Sequence, residues 1–238
     1  NLIKKYPKMF LRTLENLHYV NYGIGDRRGN EIDELYQEAS KDIYNSNNLN
    51  EFQSNLKNFY AKLKPLRNKR AVFVDNFINK LGYGKSPQLD SLTLYSFHKI
   101  EREHRKTDFT LYDPDNTNDV SRDHWADQKD THDTVYEAIR LRMEASQDSI
   151  LDNIGNILPL GGDLNSKLGG LNPKTPEAKY KYLINPSNHI TLEYSIQSKF
   201  FKDYSNYFPS WDEVNIKERA KNLANEIFDI IENENPSI

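Results

Sequence analysis

Six histidines and no cysteine bound the chemistry open to this chain of 238 residues. Without a thiol there is neither a Cys nucleophile nor a thiolate zinc site, so a metal would have to sit on oxygen or imidazole ligands. Most of the histidines have ordinary surroundings. His18 and His98 fall within amphipathic helical patterns, His104 stands in the charged run Arg102-Glu103-His104-Arg105-Lys106, and His132 and His189 adjoin the turn residues Asp133 and Asn188. His124 differs: it directly follows Asp123 near the end of a short β-like segment, Val120–Trp125, where an imidazole and a carboxylate can be held rigidly and still meet solvent. An imidazole with a pKa of about 6.5 can take or give a proton at neutral pH. Downstream, Asn156 opens the apolar run Asn156-Ile-Leu-Pro-Leu160, and Asn165 lies nine residues on, in Leu164-Asn-Ser-Lys-Leu168. Asparagine accounts for 27 of the 238 residues, so these two count only together with what flanks them.

Periodicity indicates the elements that would carry these residues. Phe10, Leu14 and Leu17, then Ile32, Leu35, Tyr36, Ala39 and Ile43, then Leu49, Phe52, Leu56, Phe59 and Leu63 recur at helical spacing, with breaks at 22–26 and 45–48 and a stop at Pro65. A fourth helix carries Phe73, Phe77 and Leu81 and ends at Gly82; a fifth runs from near Pro87 to about Glu103. After Lys106 the pattern shortens. Phe109-Thr-Leu-Tyr112 and Val120–Trp125, with Asp113-Pro-Asp-Asn116 between them, read as two strands around a turn. Helix returns over 134–145. Asn156–Leu160 then reads as a strand, Gly161-Gly162 as a turn and Asp163–Leu168 as a helix start. Thr175-Pro176-Glu177 opens a further helix, and the capping box Ser210-Trp-Asp-Glu213 starts the last, through Val214, Leu223, Ile227 and Ile230, before a frayed tail at 233–238. The class is α+β, predominantly helical.

The order Asp123-His124, an Asn on a strand and an Asn on the helix after a turn resembles the His-Me finger (HNH-type) nuclease motif, a β-hairpin followed by a helix clasping one divalent metal. The flanks narrow the resemblance. Ile154-Gly-Asn-Ile-Leu-Pro-Leu160, Asn165-Ser-Lys-Leu168, Pro176-Glu-Ala-Lys179-Tyr-Lys181-Tyr, and Trp211 with Ile216-Lys-Glu-Arg219 and Leu223 are together similar to the C-terminal nuclease domain of GmrSD-type restriction proteins, between Leu89 and Ile231. That family reads Glu-His-Ile-x-Pro at the catalytic strand, whereas this chain reads Asp123-His124-Trp125-Ala126-Asp127, which makes Asp127 a competing metal ligand.

The resemblance implies a ββα-metal (His-Me finger) unit embedded among helices. It divides the chain into a helical region over 1–86 and a nuclease domain over 87–238 with a helical insertion near 128–150. Phosphodiester hydrolysis needs a base, a cation for the phosphate charge and a group that orients the base. On the family pattern His124 is the base, and Asn156 hydrogen-bonds across to the His124 backbone. Asp123 and Asn165 supply oxygens to one divalent cation, Mg2+ or Mn2+, and Lys167, Lys179 and Lys181 contact phosphate. The implied substrate is double-stranded DNA, within a prokaryotic restriction or anti-phage defence system. The implied partner is an N-terminal nucleotide-hydrolysing domain that senses modified DNA. No Gly-rich phosphate loop occurs here and the first residue is not Met, so the expectation is a piece of a longer protein with that half elsewhere.

Charge and composition limit the alternatives. A net charge of −3 excludes a chain that coats nucleic acid over its whole surface. Basic stretches survive locally: seven basic against two acidic residues over Glu51–Gly82, and six against two over Leu164–Lys202. Leu, Ile, Val and Phe make up 59 residues, enough for a core, and no apolar run has membrane-spanning length, so a soluble cytoplasmic protein is expected. Two other readings stand beside the nuclease: a catalytically degenerate DNA-binding or regulatory module, and a helical protein-interaction scaffold.

Overall fold

The computed structural model describes residues 2–25, 33–63, 70–84, 86–106, 120–129, 131–146 and 150–233. The fold is α+β and predominantly helical. Two compact units make it up, residues 1–77 with 224–238 and residues 78–223.

In the first unit, α1 (Leu2–Lys5), α2 (Pro7–His18), α3 (Asp33–Tyr44) and α4 (Leu49–Leu63) follow the apolar stripes of the sequence. Leu17, Ala39, Ile43, Phe52, Leu56 and Phe59 are the stripe residues that become its core. The break before α4 is chemical: Asn48 Oδ1 accepts from Glu51 N at 3.0 Å, and Glu51 Oε2 accepts from Asn47 N at 2.8 Å. Such reciprocal capping satisfies amides that have no helical partner. The expected break at 22–26 comes later, because the chain continues from α2 as a wide helical turn over Tyr19–Ile24. Phe73 of α5 (Arg70–Lys80) meets Phe228, near the end of the last helix, at 5.3 Å between ring centroids.

The second unit begins in the last turn of α5. Ser86 caps α6 (Pro87–Arg105), its side chain accepting from Leu89 N, and Pro87 takes the first turn, where its missing N–H costs nothing. β1 (Val120–His124) and β2 (Ile157–Gly161) pair antiparallel, with Asp123 opposite Leu158 and His124 opposite Ile157. α7 (Thr134–Glu144) lies between them in the chain, and α8 (Gly162–Gly169) follows β2 without a gap. Phe109–Tyr112, read as a strand next to β1, lies outside the described residues; β1 pairs with β2 across α7, the strand pair that the resemblance implies. Thr175 caps α9 (Pro176–Ile184) as its sequence indicates. α10 (Ser195–Tyr204) is capped from another element: the buried Glu101 of α6 accepts from Ser195 N at 2.9 Å and Ile196 N at 3.1 Å. Burial pushes the Glu101 carboxyl up, but these bonds and Arg105 hold it below the usual carboxylate range.

α11 (Glu213–Asn233) does not start on Ser210. Asp212 is its cap, accepting from Val214 N at 3.0 Å and Asn215 N at 3.2 Å. The delay has a packing cause. Ser210 closes a 3-10 turn over Ser205–Ser210, and Trp211 after it is fully buried with its carbonyl accepting from the Tyr136 hydroxyl at 2.8 Å, so the helix opens only at Asp212. Around Trp211, Trp125, Phe200, Phe201 and Phe208 form an aromatic core, with Trp125 and Phe208 at 5.0 Å. Aromatic pairs of this kind contribute on the order of 1 kcal/mol beyond their burial.

Candidate active site

Alternation along β1 sends its polar side chains to two different places. Arg122 and His124 share one face, where the Arg122 guanidinium lies over the Tyr83 ring at 4.5 Å and the His124 ring meets the same tyrosine edge-on at 5.3 Å. His124 Nε2 lies 3.1 Å from Asp152 Oδ1, and Gln128 Nε2 donates to that same oxygen at 2.5 Å. The imidazole is 11% exposed. Burial lowers its pKa from the ordinary histidine value and the Asp152 carboxylate only partly restores it, so the ring is neutral at neutral pH and able to accept a proton.

Ser121 and Asp123 face the other way. Asp123 is buried, and its two oxygens take Lys179 Nζ at 2.8 and 3.1 Å, while that same ammonium donates to the His124 carbonyl at 2.5 Å. This corrects two expectations together. Lys179 is fully buried, so it is no surface contact for phosphate, and Asp123 already holds a cation. Burial pushes the Asp123 carboxyl up against the opposing pull of Lys179. Asn165, the other expected ligand, donates to Ser121 Oγ at 2.5 Å. As arranged, Asp123 and Asn165 do not fit a divalent cation, because the carboxylate that would carry the ligand charge is neutralised by an ammonium at hydrogen-bond distance. Asp127, the competing ligand, lies beside the same ammonium, its Oδ1 accepting from Lys129 N at 3.0 Å and its Oδ2 3.9 Å from Lys179.

Asn156 is fully buried and works as a tether, one step further along the loop than expected. Its carbonyl accepts from Trp125 N at 2.8 Å, not from His124. Its side chain accepts from Ala126 N at 2.8 Å and Trp211 Nε1 at 3.2 Å, and donates to the carbonyls of Ala126 at 2.9 Å and Leu151 at 2.8 Å. Trp125, where the chain departs from the family pattern, is buried against Phe200 and Phe208, so the loop after His124 is held by apolar packing as well.

The start of β2 is held by α11. Gly155 passes so close that a Cβ there would lie 2.0 Å from the Ile216 carbonyl oxygen. Arg219 Nη1 donates to the carbonyls of Gly155 at 2.8 Å and Ile157 at 2.9 Å, and its complete burial lowers its pKa to about 9. Trp211, Ile216 and Arg219 thus act on the strand of Asn156 and do not face a substrate. No family model, curated protein or solved structure matches this chain.

Of the remaining basic residues, Lys167 on α8 and Lys181 on α9 are exposed, Lys181 pairing with Glu177 at 2.5 Å. An open cleft of about 850 Å³ runs beside α8, lined among others by Asp163, Lys167, His189 and Glu193; His124 does not line it. Sequence reasoning missed Tyr83, Gln128 and Asp152. Nothing in their spacing marks them, since they meet His124 only through non-local packing.

Asn156→Ala is expected to destabilise the fold by about 2 kcal/mol, because it strands the Ala126 amide and the Trp211 indole N–H in the interior. A shifted urea midpoint with an unchanged slope checks this; an unchanged midpoint would mean that water replaces the amide.

Proposed function

We propose that this chain hydrolyses phosphodiester bonds of double-stranded DNA, as a cytoplasmic nuclease of a prokaryotic restriction or anti-phage defence system, with a nucleotide-hydrolysing sensor domain as its partner. One observation carries the reading: an imidazole, 11% exposed, at the end of β1, in an antiparallel pair followed at once by a helix, the order of parts in a ββα-metal unit. As a water oxygen bonds to phosphorus and the P–O3′ bond breaks, the water proton passes to His124 and the leaving oxygen takes a proton from solvent. General-base help of this kind is worth about 10²- to 10⁴-fold. Asn156 keeps the backbone after His124 from moving as charge develops on the ring.

The Asp123–Lys179 pair favours a second reading, a DNA-binding or regulatory module that has lost catalysis. Relaxation of supercoiled plasmid, run with Mg2+, Mn2+ or EDTA beside a gel-shift measurement, separates the two. The nuclease reading requires nicked product that disappears with His124→Ala. Bound but intact DNA supports the second reading, and neither binding nor cleavage sinks both.

Affinity on either reading should be electrostatic. Each phosphate contact carries about 0.9 of the slope of log K against log salt on B-DNA. Replacing the exposed Lys167 and Lys181 together by alanine is expected to flatten that slope by up to about two units and to weaken unrelated sequences equally. An unchanged slope would place the DNA elsewhere.

A further inference from the structure

The His124 ring has a partner that the family pattern does not supply. Asp152 is held in place by its own backbone. Its carbonyl accepts from Tyr83 N at 2.8 Å, and in the next stretch Ile154 N donates to the Leu81 carbonyl at 3.1 Å, so residues 81–83 and 152–154 run side by side. Gly82 makes the approach possible, since a Cβ there would lie 2.2 Å from the Asp152 carbonyl oxygen. Asn153 locks the same turn, accepting from Gly155 N at 2.9 Å and donating to the Ile78 carbonyl at 2.7 Å. The Asp152 side chain is 21% exposed, and its Oδ1 receives both His124 Nε2 and Gln128 Nε2. A carboxylate oxygen can only accept, so the imidazole proton sits on Nε2. Nδ1 is then the basic nitrogen, and among the described residues no hydrogen bond engages it.

We infer that Asp152 is the positioning residue of the His124 base: it selects the Nε2–H tautomer and the ring orientation, so that Nδ1 receives the proton of the attacking water. This deepens the nuclease reading and rests on it. The arrangement matches the general logic of a base oriented by a third group, in which the acid holds the tautomer and stabilises the imidazolium without itself taking the proton. Gln128 contributes a second donor that keeps Oδ1 facing the ring.

Imidazole ¹⁵N spectra of the whole chain, together with plasmid relaxation, test this on wild type, Asp152→Asn and Asp152→Ala; near-ultraviolet circular dichroism of the buried Trp125 and Trp211 confirms that each is folded. Expected are a protonated Nε2 and an unprotonated Nδ1 for His124 in wild type. Both variants should show a mixed or inverted tautomer and a kcat reduced by about 10²- to 10⁴-fold, the range for losing a correctly oriented general base, with KM for DNA unchanged. An Nδ1–H tautomer in wild type, or variants that keep the Nε2–H tautomer and the wild-type rate, would overturn the assignment of Asp152 while leaving the nuclease intact. A wild-type chain that cleaves nothing overturns the nuclease reading and with it the catalytic use of the pair, and the spectra then still report whether Asp152 sets the tautomer.

Discussion

Replacing His124 by alanine is expected to slow plasmid relaxation by about 10²- to 10⁴-fold with DNA affinity nearly unchanged. A general base acts in the transition state, where the proton moves, and adds little to ground-state binding. The fold should survive, because what the substitution removes is one hydrogen bond to a partly exposed carboxylate and one edge contact with Tyr83, while the backbone of His124 stays on β2 and on Lys179. Wild-type cleavage rates in the variant would end the proposed role of this imidazole. A strong loss of affinity in place of rate would make it a binding residue.

The second large effect is on stability. Lys179→Met should cost about 3–5 kcal/mol at neutral pH, the range for removing one member of a buried pair and leaving the other charge uncompensated. Lys179 is 1% exposed and Asp123 9%, so water cannot take over the role of the ammonium. Asp123→Asn in the same chain should return part of the loss, since the stranded charge is then gone; a double-mutant cycle reads the coupling. The pH dependence has a definite sign. Burial already pushes the Asp123 carboxyl up, and removal of Lys179 takes away the opposing pull. Between the unfolded value of about 3.9 and the raised native one, the native state binds more protons than the unfolded state, so stability falls as pH rises. The urea midpoint of Lys179→Met should therefore lie nearest to wild type at acid pH, around the unfolded carboxyl value of about 3.9, and fall away from it toward neutrality. A variant as stable as wild type at neutral pH would show that the pair does not hold β1 to α9.

The Asp123–Lys179 pair takes up two residues that each have the chemistry of a binding group. Its effect on His124 is indirect but specific: the ammonium that neutralises Asp123 also donates to the carbonyl of His124. Lys179, Asn156 and Asp152 hold the end of β1 from three sides, through the backbone of His124, the backbone of Trp125 and Ala126, and the imidazole itself.

What the sequence determines by itself is local. The stripe Leu49, Phe52, Leu56 and Phe59 dictates α4, and Thr175-Pro176 dictates where α9 begins, because helical periodicity and caps depend only on residues within a turn of one another. The run Ile157–Leu160 bounded by Gly161-Gly162 likewise dictates a strand and then a helix. The choice of Asn156 as a tether for the loop after His124 is legible too, from the strand-like run that it opens. Tertiary structure decided everything that depends on a distant partner. A five-residue strand carries no information on its mate: the local pattern sets Phe109–Tyr112 beside β1, whereas the pairing of β1 with β2 across α7 is an expectation from the resemblance alone and is what the fold shows. The capping box at Ser210 is not used, because Ser210 ends a 3-10 turn and Trp211 is drawn into the core, where its carbonyl meets Tyr136 and its indole meets Asn156. Asp123 and Lys179 turn from surface ligands into an ion pair because alternation points Asp123 inward, and a carboxylate buried there must find a cation from the chain itself.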